Sequence, residues 1–215
     1  NTVLDNNFTS DVLMFRFAQS CIRLQRLVYA SSSEIVAGDP QSPVSENTAI
    51  TIDNIHNPRW SYRLAKVCAE NYLVNGQLPW LICRYFNVYG EHSKAGHFVA
   101  DQIEKIGRGE FSIIGPDETR SFCYVSDTIA ATIHCAETVN QQVINIGNDR
   151  EIRILDAANI IADALGHHDV NWDIKPSLPG STAVRRPDIS KLRKTMTSYN
   201  PISFEEAIAR MIKKS

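Results

Sequence analysis

The sequence predicts an α/β fold in which helices cover both faces of a parallel sheet. Two observations lead to this prediction. Short apolar runs typical of buried strands alternate along the chain with segments that have apolar residues at helical spacing. The strand candidates are apolar at nearly every position, as expected of parallel strands buried on both faces. A chain of 215 residues can form one domain with a substantial core, or one domain and a smaller lobe.

Each predicted element has a local signal. Thr9, Ser10 and Asp11 are helix-start residues, and Ser203 and Glu206 occupy capping-box positions before the last helix. β-branched and aromatic residues mark the strands, whereas prolines and polar residues mark the long loop. In chain order the predicted elements are a helix over 8–22, a strand over 26–31, a surface loop over 42–60, a helix that contains WSYRLAK and stops at Gly76, a strand over 79–86, a polar loop over 87–96, a helix over 98–108, a strand over 111–115, a helix that starts near Ser126 and Asp127, a strand over 143–147, and helices over 154–166 and 203–214.

The composition argues against several classes of partner. The formal net charge of −2 gives no electrostatic case for binding nucleic acid or a membrane surface. No apolar run approaches the roughly 20 residues that span a bilayer, and the opening segment NTVLDNNFTS lacks the features of a signal peptide. The five cysteines are scattered and odd in number, which predicts buried free thiols in a cytoplasmic protein and no metal site.

Polar residues follow the first two predicted strands, and a helix with a tyrosine and a lysine lies between those strands. SSSE (31–34) comes after the first strand, and Asn87 comes after the second. Ligands of α/β folds bind beyond the carboxyl ends of the strands, so both are candidate site residues. Tyr62 and Lys66 are four positions apart and share one helix face. Alone, this Y-x-x-x-K spacing is weak evidence, because both residue types are common on helix surfaces.

Together the three features suit hydride transfer from an alcohol carbon. A tyrosine ordinarily titrates near about 10. A neighbouring ammonium favours the phenolate, so we expect Lys66 to lower the pKa of Tyr62. Tyr62 can then accept the proton of an alcohol near neutral pH. A serine hydroxyl at the end of the first strand can share that proton.

The motifs resemble those of a known family over nearly the whole chain. The segments are LDNNFTSD (4–11), RLVYASSSE (26–34), SYRLAK (61–66), CRYFNVYG (83–90), GPDETRSFCYVSD (115–127), INIGN (144–148), RRPDISKLRK (185–194) and PISFEEAI (201–208). Their order and separation resemble the extended short-chain dehydrogenases/reductases that act on nucleotide sugars. This family comprises sugar-nucleotide epimerases, dehydratases and UDP-glucuronate decarboxylases.

The resemblance implies an architecture and a set of partners. It implies part of a Rossmann-like dinucleotide-binding domain over 1–90 and mainly a substrate lobe over 91–215, with 111–148 returning in part to the main sheet. It also implies NAD as the cofactor, with NADP as the alternative, and a nucleotide-diphosphate sugar as the substrate. Members commonly form homodimers through the Y-x-x-x-K helix and the helix before it. The apolar face predicted for this contact comprises Val12, Phe15, Gln19, Cys68 and Tyr72.

The resemblance further assigns catalytic roles. Tyr62 would be the base, and Lys66 would bind the nicotinamide ribose and tune Tyr62. Ser32 would assist at the sugar hydroxyl, with Ser33 as the alternative. Glu34 is a further catalytic candidate, although its role is ambiguous.

Other residues would bind the cofactor and the substrate. The cofactor-binding candidates are Ser31, Tyr62, Lys66, Phe86 and Val88. The substrate-binding candidates are Asn7, Ser33, Asn87, Arg120 and Arg185. Arg120 and Arg185 match arginines that grip the diphosphate, which suits a planar charged fork. Arg186 is the alternative to Arg185, and Asn87 has the alternative of capping a turn.

One departure from the family concerns the cofactor. The family binds NAD(P) through a glycine-rich turn after its first strand, and this sequence contains no such turn. We expect the turn upstream of residue 1. The chain would then be a fragment of a longer enzyme, or a degenerate protein without a complete cofactor site, and as written it should not bind NAD tightly.

A second departure concerns the reaction. The preferred interpretation is an NAD-dependent epimerase that oxidises and reduces C4 of the sugar. The alternatives are a UDP-glucuronate decarboxylase or a GDP-mannose-type dehydratase, which carry Glu at the position of Glu34. Ser33 stands where dTDP-glucose dehydratases have Asp, which argues against that branch. An alternative of another class is a truncated, non-catalytic nucleotide-sugar-binding or assembly protein.

Overall fold

The structure is a computed structural model that describes residues 2–36, 43–52, 55–178 and 181–213. The helices are α1 (Thr2–Leu4), α2 (Ser10–Ser20), α3 (Trp60–Val74), α4 (Phe98–Gly107), α5 (Val125–Thr138), α6 (Ile154–Ala164), α7 (Ser190–Thr195) and α8 (Phe204–Lys213). The strands are β1 (Leu27–Ser32), β2 (Trp80–Tyr85), β3 (Val88–Tyr89), β4 (Ser112–Ile114), β5 (Thr119–Ser121), β6 (Cys123–Tyr124), β7 (Gln142–Ile146), β8 (Glu151–Arg153), β9 (Asp173–Lys175) and β10 (Val184–Arg185).

The main sheet is parallel and has the order β1-β2-β7. Its central strand β2 reads WLICRY, and the first five of these residues are buried. A strand buried on both faces needs apolar residues at successive positions rather than alternation, which is what this run provides. All three strands point the same way, so their carboxyl ends share one edge. This arrangement confirms the predicted parallel sheet.

Helices pack on both faces of the main sheet. On one face α2 and α3 pack against β1 and β2, with Phe15, Tyr29 and Leu73 among the buried contacts. On the other face α5 and α7 pack against β2 and β7 around residues such as Leu81 and Ile144. The apolar faces of these helices therefore sandwich the sheet, as a doubly wound fold requires.

A second core forms mainly from the C-terminal half of the chain. Here α4, α6 and α8 surround a cluster that includes Phe122, Ile161 and Phe204. Short strand pairs flank this cluster: β5 is antiparallel to β8 and parallel to β10, β4 pairs with β9, and β3 pairs with β6. β7 pairs with β2 in the main sheet. The division into 1–90 and 91–215 stays a prediction.

The predicted start of the first helix is wrong. The helical backbone begins by Thr2 and passes through one π-helical stretch, Asp5–Thr9, into α2. Thr9 has helical φ and ψ and makes no side-chain cap hydrogen bond. Threonine, serine and aspartate mark helix starts only when nothing helical precedes them, and here LDNNF continues the helix upstream.

Most other predicted elements are confirmed to within two residues, but the shortest strands are absent from the prediction. The predicted polar loop over 87–96 contains β3, which pairs with β6. Residues 42, 53 and 54 of the predicted loop over 42–60 lie outside the described residues. Residues 37, 38 and 214, which are not part of this loop, also lie outside them. Within 43–52 the only isolated bridge described joins Val44 to Pro187.

The cysteines are all unpaired in the structure, and the prediction that they are buried holds for three of them. Cys83, Cys123 and Cys135 are buried, whereas Cys21 is half-buried and Cys68 is exposed on α3. No helix within the described ranges has the length and apolar character to cross a bilayer.

Candidate active site

The carboxyl end of β1 and the first turns of α3 bring Ser32 and Tyr62 together. β1 ends at Ser32, and a single turn of 3₁₀ helix follows over Ser33–Val36. The side chains of Ser32 and Tyr62 are hydrogen bonded to one another. The Ser32 hydroxyl also accepts a hydrogen bond from the Glu34 amide at 3.2 Å. A phenol and a serine hydroxyl that share one hydrogen bond can both face the same substrate alcohol.

Lys66 lies one helical turn after Tyr62 and reaches the same region. Its Nζ donates a hydrogen bond to the Ala30 carbonyl at 3.0 Å and lies 5.9 Å from the centroid of the Tyr62 ring. It lies closer to the Tyr29 ring, at 4.6 Å, and 3.8 Å from Asp11 Oδ2. The i, i+4 spacing therefore places both side chains on one face, as predicted, while the ammonium is turned toward β1 and α2.

The expected direction of the Tyr62 pKa is wrong. Burial raises the pKa of Tyr62 above its ordinary value; the hydrogen bond from Ser32 opposes this rise, and the charges of Glu34 and Asp11 add to it. The pKa of Lys66 is lowered by burial, against the effects of Asp11 and Glu70. The prediction considered only the ammonium, whereas two carboxylates from other elements also face the phenol.

Glu34 lies between two arginines. Arg185 Nη1 is 2.6 Å from Glu34 Oε1, and Arg63 Nη2 is 3.4 Å from Glu34 Oε2. Arg63 is buried, and its guanidinium carbon stands 5.2 Å from the centroid of the Trp60 ring. Burial raises the pKa of Glu34, but Arg185, Arg63 and Arg59 together bring it below its ordinary value. Glu34 is therefore ionised, and a carboxylate held this way is a poor proton donor.

The Ser31 hydroxyl is engaged outside this cluster, and Ser33 is buried. The Ser31 hydroxyl is buried and donates to Glu70 Oε1 at 2.5 Å. Glu70 is also held by Arg84 of β2 through two hydrogen bonds of 3.0 and 2.8 Å. Ser33 is buried in the turn after β1. Ser32 rather than Ser33 therefore meets Tyr62, and a contact between Ser31 and a cofactor would have to use its backbone.

Asn87 and Val88 open onto a cavity of about 240 Å³. Asn87 follows β2 with a positive φ of 36°, a conformation that asparagine tolerates better than most residues. Its side-chain amide donates to the Ser121 carbonyl at 2.8 Å. Phe86 is fully buried beneath this turn, so its side chain serves packing. Aromatic and apolar residues line most of the cavity, including Tyr89, Phe98, Phe122, Ile154 and Leu178.

Arg120 supplies positive charge at the wall of this cavity, but that charge is partly neutralised. Its Nη2 donates to Glu118 Oε2 at 2.5 Å and to the Ser181 hydroxyl at 3.3 Å. Arg120 lies in register with Arg185 across the β5–β10 pair. The two arginines that the sequence predicts for the diphosphate are therefore neighbours, with Arg185 at the Glu34 end and Arg120 at the cavity.

The alternative Arg186 and the substrate-binding candidate Asn7 can also be compared with the geometry. Arg186 faces away from Glu34: its Nε is 3.8 Å from Glu151 Oε2. The amide of Asn7 donates to the Val3 carbonyl of its own helix at 2.8 Å, and its assignment to substrate binding stays a prediction. An asparagine near the end of a helical turn can satisfy its amide locally, which sequence spacing does not reveal.

The sequence analysis did not assign site roles to Asp11, Arg63 and Glu118. Asp11 was interpreted only as a helix-start residue. Arg63 directly follows Tyr62, and Glu118 precedes Arg120 by two residues, so their proximity to motif residues was the available signal.

The described residues fit one part of a dinucleotide. Lys66, Tyr62 and Ser32 place an ammonium and two hydroxyls at the carboxyl end of β1, where a nicotinamide ribose would need hydrogen-bonding partners. The glycines of the described ranges form no glycine-rich turn between a strand and a helix, so the pyrophosphate contacts are not among these residues.

A family model places this site in context. The model of the NAD dependent epimerase/dehydratase family matches residues 1–147. The chain belongs to this family. The match includes Ser32, Tyr62, Lys66 and Asn87, and it confirms the resemblance drawn from the motifs.

Individual members of the NAD-dependent epimerase/dehydratase family are enzymes. UDP-N-acetyl-alpha-D-glucosaminuronate decarboxylase of Bacillus cytotoxicus is 31% identical over 204 residues, which cover 87% of this chain and 63% of that protein. UDP-glucuronic acid decarboxylase 1 of Arabidopsis thaliana is 28% identical, over 87% of this chain and 44% of that protein. The chain thus spans less than two thirds of the length of these relatives.

A solved structure confirms the Rossmann-like α/β fold. UDP-glucuronic acid 4-epimerase of Bacillus cereus, in complex with UDP-glucuronic acid and NAD, superposes with a TM-score of 0.85 at 25% identity. The superposition covers 98% of this chain and 68% of the solved one. This member of the family is NAD-bound, in agreement with the cofactor predicted from the motifs.

Proposed function

We propose that this chain carries the catalytic group of an NAD-dependent enzyme that oxidises C4 of a nucleotide-diphosphate sugar, and that the enzyme decarboxylates a hexuronic acid. The observation on which the proposal rests is the grouping of Tyr62, Ser32 and Lys66 at the end of β1, beside a Glu34 held by Arg63 and Arg185. The roles below belong to the proposal.

The first step removes the proton of the C4 hydroxyl and the hydride of C4 itself. Tyr62 accepts the proton of the C4 hydroxyl, and Ser32 shares that proton through its hydrogen bond to Tyr62. Lys66 orients the ribose of the cofactor. NAD, when bound, accepts the hydride from C4 and later returns it, so the whole reaction consumes no external oxidant or reductant.

Oxidation at C4 makes loss of the C6 carboxylate feasible. The 4-keto uronate is a β-keto acid, so when the C5–C6 bond breaks its electron pair passes into the C4 carbonyl and CO₂ leaves. A proton then adds at C5, hydride returns to C4, and Tyr62 gives its proton back to the C4 oxygen. The product is a nucleotide-diphosphate pentose.

The arginines near Glu34 favour a uronic acid over a neutral sugar. Arg63 and Arg185 place two positive charges around the single carboxylate of Glu34. This excess positive charge would attract a substrate carboxylate more strongly than a neutral hydroxymethyl group. The decarboxylases among the family relatives support the same assignment.

Epimerisation at C4 is the second candidate. It uses the same proton and hydride removal, but the keto sugar turns and receives hydride on its opposite face. The 4-epimerase with the TM-score of 0.85 favours this outcome, and epimerisation was the preferred interpretation of the sequence. A dehydratase that uses Glu34 as an acid is less favoured, because the arginines lower the pKa of Glu34.

Product analysis separates these outcomes. The full-length protein with added NAD would be incubated with UDP-glucuronate and, separately, with UDP-glucose, and the products followed by ¹H NMR. We expect a UDP-pentose and CO₂ from UDP-glucuronate and no change in UDP-glucose. A C4 epimer in place of the pentose would establish the second candidate. No product from either sugar, with UDP binding retained, would favour the non-catalytic binding protein.

A further inference from the structure

Asp11 of α2 forms an ion pair with Lys66. Asp11 Oδ2 lies 3.8 Å from Lys66 Nζ and accepts a hydrogen bond of 2.6 Å from the Tyr29 hydroxyl. Lys66 Nζ stands over the Tyr29 ring at 4.6 Å. Tyr29, on β1, therefore contacts both the carboxylate and the ammonium, and three elements converge on the position of Lys66.

These contacts determine where the ammonium lies. Asp11 attracts it by charge, the Tyr29 ring attracts it through its π face, and the Ala30 carbonyl accepts its hydrogen bond. All three attractions point toward β1 and α2. The Tyr62 ring, at 5.9 Å, is the most distant of these neighbours.

We propose that Asp11 is a positioning residue that holds Lys66 toward Tyr29 and so limits how strongly the ammonium stabilises the phenolate of Tyr62. The proposal rests on the role of Tyr62 as the base. It accounts for the position of the ammonium, 5.9 Å from the centroid of the Tyr62 ring despite the i, i+4 spacing. It also assigns to α2 a direct influence on the site, although α2 contributes no catalytic group.

Asp11 acts together with the other charges that face Tyr62 and Lys66. Glu34, from the turn after β1, also raises the pKa of Tyr62, while Glu70, on the same helix as Lys66, raises the pKa of Lys66. Glu34 is itself paired with Arg63 and Arg185, and Glu70 with Arg84. Among these three carboxylates, Asp11 is the one whose described cationic partner is Lys66.

The test replaces the charge and the hydrogen bond separately. Asp11→Asn removes the negative charge and keeps an acceptor for Tyr29, whereas Tyr29→Phe removes the hydrogen bond and keeps the charge. Glu137→Gln, at an exposed position of α5, is the control for removing a carboxylate. The full-length protein, labelled with ¹³C at the tyrosine ζ carbon, would be titrated by NMR, with Tyr62→Phe used to assign the Tyr62 signal.

We expect Asp11→Asn to move the titration of Tyr62 to lower pH, and to move it less in a Lys66→Met background, because the proposed effect acts through the ammonium. An equal shift in both backgrounds would assign the effect to the charge of Asp11 alone and overturn the proposal. Tyr29→Phe and Glu137→Gln should not lower the pKa of Tyr62. In the NAD-loaded enzyme the pH profile of kcat should shift in the same direction. Asp11→Ser provides a second charge-removing variant should Asp11→Asn not fold.

An unchanged Tyr62 titration in both charge-removing variants would overturn the proposal. An equal fall in the pKa of Tyr62 in Tyr29→Phe would also overturn it, since the hydrogen bond rather than the charge would then be responsible. The NMR titration requires no sugar substrate. If the choice of substrate is wrong but the titration shifts, the positioning role stands while the proposed function fails.

Discussion

At the scale of single residues, the environment of Glu34 is the feature that separates this site from a plain tyrosine–lysine pair. Two arginines from different elements hold one carboxylate, and one of them directly follows the proposed base in sequence. If the carboxylate moved away from the two arginines, their buried positive charge would lose its partner, which costs free energy. Its ionised state is therefore part of the fold as well as part of the proposed chemistry.

Removal of Arg63 should change the acid stability of the protein. The folded-state pKa of Glu34 lies below its ordinary 4.5, so its contribution is present above that ordinary value and is lost as the pH falls through the lower folded value. In Arg63→Met the folded pKa rises toward its ordinary value, so this contribution should become smaller and its loss should be complete at a higher pH. Urea unfolding at a series of acidic pH values would measure it. Glu34→Gln should lose this pH-dependent part of the free energy of unfolding. If its free energy of unfolding fell with pH as steeply as that of the wild type, the assignment would be contradicted.

Replacement of Tyr62 by phenylalanine tests the proposed base. We expect Tyr62→Phe to lower kcat by about 10²–10⁴-fold, the usual contribution of a positioned acid–base group. The fold should persist, because the hydroxyl contributes one hydrogen bond to Ser32. Steady-state kinetics would be compared with UDP affinity, which should remain. Equal kcat in the variant and the wild type would remove Tyr62 from the mechanism.

Motif spacing predicted these residues but not their surroundings. The Y-x-x-x-K pattern and the strand-end serines located Tyr62, Lys66 and Ser32, because helix and strand periodicity fix which side chains share a face. The direction of the Tyr62 pKa depends first on burial and then on the charges of Glu34 and Asp11, which reach the site from other elements. Such long-range contacts leave no periodic signal in the sequence.

At the scale of elements, the end of β1 is braced by a buried ion pair. Arg84 of β2 and Glu70 of α3 have side chains only 6% and 8% exposed and make two hydrogen bonds. The Ser31 hydroxyl donates to the same carboxylate. This pair connects the Tyr62 helix to the central strand directly beneath the proposed catalytic group.

Breaking that pair should destabilise the protein strongly. Arg84→Met leaves Glu70 buried without its cation, and we expect a loss of about 3–5 kcal/mol in the free energy of unfolding. Urea denaturation would measure it. Arg108→Met removes the ion pair between Arg108 and Glu104, whose side chains are 56% and 58% exposed. Its free energy of unfolding should fall by less than about 1 kcal/mol. Similar losses in the two variants would refute the structural importance of the Arg84 pair.

Long elements were predictable and short ones were not. The helices of ten residues or more show a clear 3.6-residue period, and β2 is a continuous apolar run, so their sequences are sufficient. The strands β3, β5, β6 and β10 have two or three residues each. They exist because remote partners complete their hydrogen bonds, which local propensity cannot predict.

At the scale of the whole molecule, the predicted dimer face needs correction. Phe15 is 2% exposed and packs against Tyr29 and Tyr72 within the chain, so it cannot contact a second copy. The exposed large apolar residues of α2 are instead Leu13, Met14 and Phe17. They lie on the helix that precedes α3, where the resemblance places the homodimer contact, and this location supports a second copy as their partner.

Charge placed on this face should prevent association. Phe17 is 64% exposed, and we expect Phe17→Glu to convert a dimer into a monomer, because burying the carboxylate between two copies is unfavourable. Ile174→Glu, at a site of β9 that is 59% exposed, is the matched control and should keep the wild-type mass. Light scattering after size-exclusion chromatography gives both masses. A monomeric wild type would reject the dimer.

The central claim is that Tyr62 initiates oxidation at C4 of a nucleotide-sugar uronic acid. It is tested most directly by mixing the full-length, NAD-loaded protein with UDP-glucuronate in a stopped-flow instrument. The absorbance of the reduced cofactor, which forms when the sugar loses hydride, would be recorded. We predict a transient rise and fall in the wild type and no rise in Tyr62→Phe. No transient signal in the wild type while UDP-pentose forms, or an equal signal in Tyr62→Phe, would contradict the account.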